Sequence, residues 1–220
     1  RVDAIILAGS KFVEMRPRDN EYIIEAAAKL PIMLVNGYLE GNNIYSTTCD
    51  DRSAVYEVTR KLLESGRRRL LYLYTSYSFS GVNKMAGFKE AHREMGLEVP
   101  DERIHQCAKD ISVARDLLLK LHEEGLEFDA VVTSDDSLAV GAVKFAHAAG
   151  ISIPDRLSII GYNDSILARS TDPEITSIDS KVEALCSTTI NTLMGVFSGK
   201  NVPSRTTIAP DLIKRQTTNF

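Results

Sequence analysis

Residues 150–164 read GISIPDRLSIIGYND, and this stretch decides the fold more than any other part of the chain. Gly150 supplies the left-handed residue that ends a helix, and Pro154 prevents the helix from continuing. Residues 157–160 are apolar enough to form a strand buried on both faces, which is typical of parallel sheets covered by helices. A polar pair beginning with Asn163 follows directly. It is therefore predicted at the carboxyl end of a strand, where open α/β sheets bind ligands.

The same succession of short apolar strands and glycine-terminated helices continues along the chain. Helices are predicted over residues 51–65, 83–95, 112–124, 136–149 and 181–198. Strands are predicted over residues 3–8, 31–35, 69–74, 129–133 and 157–161. Strands too apolar to have a solvated face, alternating with amphipathic helices, predict an α/β fold class with parallel sheets flanked by helices.

Composition excludes several classes of protein. The 220 residues carry 30 acidic and 26 basic side chains, and the formal net charge of −4 has the wrong sign for a surface that binds nucleic acid by counterion release. No apolar run reaches the roughly 20 residues of a membrane helix, so no membrane partner is expected. The 3 cysteines are widely spaced and odd in number, which fits neither a disulfide framework nor a zinc site. They favour a reducing compartment, and a cytoplasmic location is expected.

Signatures of catalysis are missing from the sequence. The patterns HExxH, GxSxG and a GxGxxG after a strand do not occur. The adjacent acids Asp135 and Asp136 are better explained as acids at a helix start than as metal ligands, because neighbouring side chains point in different directions. No catalytic residue, metal or cofactor is therefore predicted.

Residues directly after the predicted strands are small, hydroxylic, amide or acidic. Ser80, Asp135 and Asn163 offer donors and acceptors to a polar small molecule, and Tyr38 and Phe79 are available to cover its apolar faces. Capping of the next helix or turn is the alternative role for Asp135 and Asn163. The residues alone leave both roles open.

The segment 75–81, TSYSFSG, leads into a helix whose first turn is predicted to carry Lys84. Free N–H groups at a helix amino end, together with a nearby cation, suit an anionic group such as a carboxylate or phosphate. A lysine on the solvated surface is the alternative, and the sequence alone leaves both open.

Several segments follow, in order, the effector-binding domain of the lactose- and galactose-repressor (LacI/GalR) family of bacterial transcription regulators. They are RVDAIILAG, LPIMLVN, KMAGFKEAHREMGL, FDAVVTSDDSLAVGA, GISIPDRLSIIGYND, DPEITSID and PDLIKRQTT. The resemblance covers essentially the whole chain. It implies a two-lobed, periplasmic-binding-protein-like fold of type I that closes on a small ligand, usually a sugar or a nucleobase, in a homodimer.

The family pattern also implies lobe boundaries. The first lobe is expected to contain residues 1–66 and 181–209, and the second residues 67–179 and 210–220. The first lobe is expected to be incomplete at its amino end. The helix-turn-helix headpiece that contacts operator DNA in this family is expected outside these residues.

The resemblance assigns ligand-binding positions as well. The family's arginine, four residues before the aromatic of its GF or GW pair, falls on Lys84, and the family's aspartate after Gly-Tyr falls on Asn163. The family's Asn or Asp before the following helix falls on Asp135. Ile111 stands where many members place an aromatic residue that stacks on the ligand, and Ser180 completes the candidate set. These departures leave the effector open between a plain sugar and a modified or acidic one.

Together these features predict the effector-binding and dimerisation domain of a transcription regulator, in which ligand closure alters operator affinity through the headpiece. A solute-binding protein of a sugar ABC transporter shares the fold and is the alternative. The intact amino terminus would discriminate between the two, because one class carries a helix-turn-helix and the other a signal peptide.

Overall fold

The computed structural model describes residues 2–220; Arg1, which begins the predicted first lobe, lies outside them. The strands are β1 (Ile5–Ala8), β2 (Ile32–Val35), β3 (Ile44–Cys49), β4 (Leu70–Tyr74), β5 (Ile104–Gln106), β6 (Ala130–Thr133), β7 (Ser158–Tyr162), β8 (Thr176–Asp179), β9 (Arg205–Ile208) and β10 (Asp211–Ile213). The helices are α1 (Glu21–Ala27), α2 (Asp51–Glu64), α3 (Phe79–Glu94), α4 (Ile111–Glu123), α5 (Asp136–Ala148), α6 (Ile166–Arg169) and α7 (Val182–Phe197). Short 3-10 turns occur at Ser10–Phe12, Pro17–Asn20 and Asp101–Arg103.

The chain folds into two compact units. The first unit contains the residues up to Asp50 together with Tyr77–Val82 and Lys181–Ala209. The second unit contains Asp51–Ser76, Asn83–Ser180 and Pro210–Phe220. Each unit is built on one sheet.

The first sheet has the strand order β1-β2-β3-β9, and all its pairs are parallel. Ile23 of α1 packs in one apolar cluster with Ile32 and Leu34 of β2. Leu185 of α7 packs in another with Val35 of β2. Both faces of the first sheet are therefore covered by helices.

The second sheet has the strand order β10-β8-β7-β6-β4-β5 and is parallel except for β10, which runs antiparallel to β8. Side chains alternate between its two faces. Val131 and Ile159 belong to one apolar cluster, whereas Val132 and Ile160 belong to the other. Since successive residues of a strand point to opposite faces, this confirms the predicted strand buried on both sides, which begins at Ser158 rather than at residue 157.

Helix α2 packs with the second unit, whereas the family pattern implied a first lobe that contains it and extends to residue 66. Its apolar face is the reason: Val55, Val58 and Leu62 are buried in the same cluster as Tyr72 of β4 and Phe88 of α3. The second unit therefore begins directly after β3.

The glycines predicted to end helices all have positive φ, between 65° and 99°, at Gly66, Gly96, Gly125, Gly150 and Gly199. The start of α3 differs from the prediction, because it lies at Phe79 rather than at residue 83. The hydroxyl of Ser78 accepts a hydrogen bond from the Gly81 N–H at 3.3 Å, which caps this earlier start. In the part of the chain that the structure describes, no helix has the length and apolar character of a membrane span.

Candidate ligand-binding site

Polar side chains gather at the carboxyl edge of the second sheet. Strand β6 ends at Thr133 and is followed by Ser134 and Asp135, and the neighbouring strand β7 ends at Tyr162 and is followed by Asn163. Because β6 and β7 are parallel neighbours, the residues after them lie at the same edge. The structure thereby brings Asp135 and Asn163 together, with 3.1 Å between the Asn163 amide nitrogen and Asp135 Oδ2.

Asp135 is the N-cap of α5. Its Oδ1 accepts hydrogen bonds from the Ser137 N–H at 3.0 Å and the Ser137 hydroxyl at 2.7 Å. Its other oxygen, Oδ2, accepts from Asn163. The capping role left open by the sequence is therefore real, yet it uses only one carboxylate oxygen. The second oxygen takes no part in capping α5.

Lys109 is a second donor to Asp135 Oδ2, beside Asn163, and was missed in the sequence. Its ammonium nitrogen lies 2.8 Å from Asp135 Oδ2, while its side chain is 66% exposed against 10% for Asp135. Lys109 lies just before α4, which begins at Ile111 and is capped by Asp110. Its position in the sequence could have indicated its role, because the loop after β5 reaches the same sheet edge as the loops after β6 and β7.

Asn163 has a left-handed backbone with φ of 98°, and Asp164 follows with φ of 47°. Both residue types tolerate this region better than other non-glycine residues. The Asn163 side chain donates to Asp135 and accepts a bond from the Ser180 hydroxyl at 3.4 Å. Ser180 is itself buried, directly after β8. The amide of Asn163 therefore joins the ends of three neighbouring strands, β6, β7 and β8.

Lys84 lies in the second turn of α3 and is only 7% exposed. The surface-lysine interpretation is therefore wrong, and the earlier helix start also removes Lys84 from the first turn. Its ammonium group donates to the Ser134 carbonyl at 3.2 Å and lies 3.4 Å from the centre of the Tyr162 ring. A desolvated cation over an aromatic face gains about 2 kcal/mol. This contact holds the charge beside the residues that follow β6 and β7.

Ile111 is the first residue of α4 and packs, half-buried, against the apolar cluster that contains Leu118 and Leu138. It supplies no polar contact. The remaining predicted residues lie in the first unit. There the Tyr38 and Phe79 rings are 6.1 Å apart between centroids, the Arg205 guanidinium lies 4.5 Å from the Tyr38 ring centre, and Ser80 is half-buried in the first turn of α3.

Asp136, the residue after Asp135, plays a different part. Its carboxylate is 1% exposed and accepts from the Ser165 N–H at 2.7 Å, the Ser165 hydroxyl at 2.8 Å and the Ser177 hydroxyl at 2.6 Å. Burial raises its pKa, and these hydrogen bonds oppose that rise. A Cβ atom at Gly161 would lie 2.3 Å from Asp136 Oδ1, so glycine is required there. Asp136 thus fixes the loop that follows β7.

The sequence matches the family model of the periplasmic binding protein-like domain over residues 59–218. This match covers most of the chain, and the chain belongs to that family. Two similar proteins are described as HTH-type transcriptional regulators.

An HTH-type transcriptional regulator of Lachnoclostridium phytofermentans is 50% identical over 220 residues, which is 100% of this chain and 66% of that protein. The HTH-type transcriptional regulator AscG of Escherichia coli is 28% identical over 216 residues, which is 98% of this chain and 63% of that protein. The chain therefore spans just under two thirds of the length of these relatives.

Two solved structures of transcriptional regulators have a similar fold to this chain. A sugar-binding transcriptional regulator of the LacI family from Escherichia coli, in complex with phosphate, is 26% identical with a TM-score of 0.86, over 99% of this chain and 77% of that chain. The Escherichia coli repressor AscG is 26% identical with a TM-score of 0.84, over 99% of this chain and 79% of that chain. The predicted fold class and the resemblance to the LacI/GalR family are confirmed.

Proposed function

We propose that this chain is the effector-binding domain of a bacterial LacI-type transcription regulator, and that its ligand is a small sugar or sugar derivative. The observation that carries the proposal is the polar cluster of Lys84, Asp135 and Asn163 at the carboxyl edge of the second sheet. A carboxylate, an amide and an ammonium group on rigid strand and helix ends can together orient the hydroxyls of a sugar. The family membership supports the same role.

Each member of the cluster has a distinct task. Asp135 Oδ2 accepts hydrogen bonds from ligand hydroxyls, the Asn163 amide both donates and accepts, and Lys84 donates to a ligand oxygen. Ser180 holds the Asn163 amide, and Ile111 offers an apolar surface where many relatives place an aromatic ring. In the first unit, Tyr38, Phe79 and Ser80 are proposed as ligand-binding residues on the sequence pattern alone.

The activity of the whole protein follows from this assignment as a further part of the proposal. Ligand binding changes the arrangement of a homodimer and so the affinity of an amino-terminal helix-turn-helix headpiece for operator DNA, in the cytoplasm. The domain performs no catalysis. A solute-binding protein of a transporter is the less favoured alternative, because the relatives at 50% and 28% identity are described as transcriptional regulators.

A thermal-shift screen tests the proposal. The panel contains D-glucose, D-galactose, their 6-phosphates, D-glucuronate and inorganic phosphate. A ligand at 100 times its dissociation constant adds about 2.7 kcal/mol to the stability, and the melting temperature rises accordingly. We expect at least one sugar to raise the melting temperature of the wild-type chain, and to raise that of the Asn163→Ala variant by less. An equal rise in both proteins would place binding elsewhere, and no rise with any sugar would count against a sugar effector.

A further inference from the structure

The loop after β7 holds two consecutive non-glycine residues in the left-handed region, Asn163 with φ of 98° and Asp164 with φ of 47°. L-residues keep such a conformation only where their surroundings hold it. Three backbone N–H groups of the loop are fixed by partners: Asn163 donates to the Ile178 carbonyl at 2.7 Å, Asp164 to the Ser177 hydroxyl at 3.1 Å, and Ser165 to Asp136 at 2.7 Å. The Asp164 side chain is held separately.

The Asp164 carboxylate forms an ion pair with Arg215, at 2.6 Å between Asp164 Oδ1 and Arg215 Nη2. The two side chains are only 18% and 12% exposed, so water screens the pair far less than it screens a surface ion pair. Arg215 belongs to the carboxyl-terminal tail after β10. A residue of the tail therefore reaches the loop that carries Asn163.

The tail is itself firmly placed. The Arg215 N–H donates to the Thr176 hydroxyl at 2.9 Å, and the Arg215 guanidinium also donates to the Ile175 carbonyl at 2.9 Å. Two residues on, the Thr217 hydroxyl donates to the Ile159 carbonyl of β7 at 2.7 Å. Thr217 is fully buried, and the backbone of the tail is therefore held against both β7 and β8.

We propose that Arg215 is a positioning residue for ligand recognition. It holds Asp164, and through Asp164 the left-handed turn that aims the Asn163 amide at Asp135, without contacting the ligand itself. The structural part of this proposal stands on the ion pair, and its consequence for binding rests on the proposed function. Loss of the ion pair frees the turn to relax toward a right-handed conformation and moves the Asn163 amide away from Asp135.

Amide hydrogen exchange of the ligand-free chain tests the structural part. Arg215→Met removes the cation, Asp164→Asn removes its partner while leaving the other Arg215 contacts, and Arg215→Lys keeps the charge. Glu174→Gln is the matched control, since Glu174 is 49% exposed and lies 3.5 Å from the same guanidinium. We expect exchange at Asp164 and Ser165 to quicken by about tenfold in the first two variants, since local opening becomes easier. We expect Arg215→Lys to exchange at a rate between those of wild type and Arg215→Met, and Glu174→Gln to exchange at the wild-type rate.

Exchange in β6 provides the internal reference. Unchanged exchange at residues 163–165 in both Arg215→Met and Asp164→Asn overturns the proposal. An equal acceleration across β6 and the loop in both variants overturns it as well, because Arg215 would then stabilise the whole unit rather than the turn.

Calorimetry with D-glucose, D-galactose and D-glucuronate tests the consequence for binding. We expect Arg215→Met to weaken binding of the sugar that the wild type binds by about tenfold, and to have no further effect in an Asn163→Ala background. Full affinity in Arg215→Met, or an equal loss in both backgrounds, rejects the positioning role. If the wild type binds none of these sugars, the proposed function fails for them, while hydrogen exchange still decides whether Arg215 holds the turn.

Discussion

The ammonium nitrogen of Lys84 lies 3.4 Å from the centre of the Tyr162 ring. Tyr162 ends β7, and its hydroxyl donates to the buried carboxylate of Asp51 at the start of α2. The Tyr162 hydroxyl thus binds Asp51, and the face of the Tyr162 ring contacts the Lys84 ammonium group. The positive charge at the sheet edge is held by a side chain whose own orientation is fixed.

Replacement of Lys84 by Met is expected to weaken sugar binding by about 1–3 kcal/mol, because a charged donor to the ligand is lost. Calorimetry with the sugar selected by the thermal-shift screen measures the change. Lys89→Met, at an exposed position of the same helix, is the control and should bind like wild type. Undiminished affinity in Lys84→Met would remove Lys84 from the site.

Asp135 combines a cap with a recognition group, and two substitutions separate these roles. Asp135→Ala loses both, whereas Asp135→Asn keeps an oxygen for the Ser137 N–H, and Asn caps helices about as well as Asp. We expect Asp135→Ala to lose about 1 kcal/mol more stability than Asp135→Asn, while sugar binding falls in both. Urea unfolding and calorimetry are the two measurements. Retained binding in Asp135→Asn would show that Asp135 serves α5 alone.

Lys109 occupies the Asp135 oxygen that a sugar hydroxyl is proposed to use. An ion pair whose lysine is exposed to solvent is worth about 0.2–1 kcal/mol, so its removal in Lys109→Met should raise the affinity for a neutral sugar by up to about fivefold. The gain should shrink at high salt, because salt already weakens the ion pair in the wild type. Weaker binding in Lys109→Met would mean instead that Lys109 contacts the sugar.

His92 makes stability depend on pH. The residue is 4% exposed, and burial lowers its pKa, although a hydrogen bond to the Phe88 carbonyl at 2.8 Å opposes this. A pKa lowered in the folded state means that the unfolded chain binds the proton more readily. The contribution of His92 is therefore complete above the ordinary value of about 6.5 and is lost as the pH falls through the lowered pKa.

Urea unfolding of wild type and His92→Gln at several pH values between about 7 and 5 tests this assignment. One proton contributes at most about 1.4 kcal/mol per pH unit to the slope. We expect a smaller loss of stability on acidification in His92→Gln than in wild type. Parallel profiles for wild type and His92→Gln would contradict it.

The chain alone is expected not to bind operator DNA specifically. Its net charge is −4, and its basic run Arg67-Arg68-Arg69 is largely engaged: Arg67 donates to the carbonyls of residues 154–156, and Arg69 pairs with Glu127. A gel-shift titration at physiological salt is the measurement. Sequence-specific retardation by residues 1–220 would contradict the proposal that a separate headpiece binds operator DNA.

The sequence predicted those parts of the site that depend on strand direction. Asp135 and Asn163 each follow a buried apolar strand, and parallel neighbours must bring such residues to one edge. The burial of Lys84 could not be predicted, because it depends on α3 beginning at Phe79 and on the Tyr162 ring lying against the lysine. The sequence also could not predict the unit to which α2 belongs. That depends on the apolar surface against which Val55 and Leu62 pack, and a local sequence pattern does not specify this surface.

The backbone of the left-handed turn at Asn163 is held by Ile178, Ser177 and Asp136 and, as proposed, by Arg215. Asn and Asp are the side-chain-bearing residues that accept this backbone most readily. A single base change in the codon converts one into the other. The proposed ligand surface can therefore gain a negative charge beside Asp135 while the strand, the turn and the tail keep their places. The charge of the preferred ligand would then change without any change in architecture.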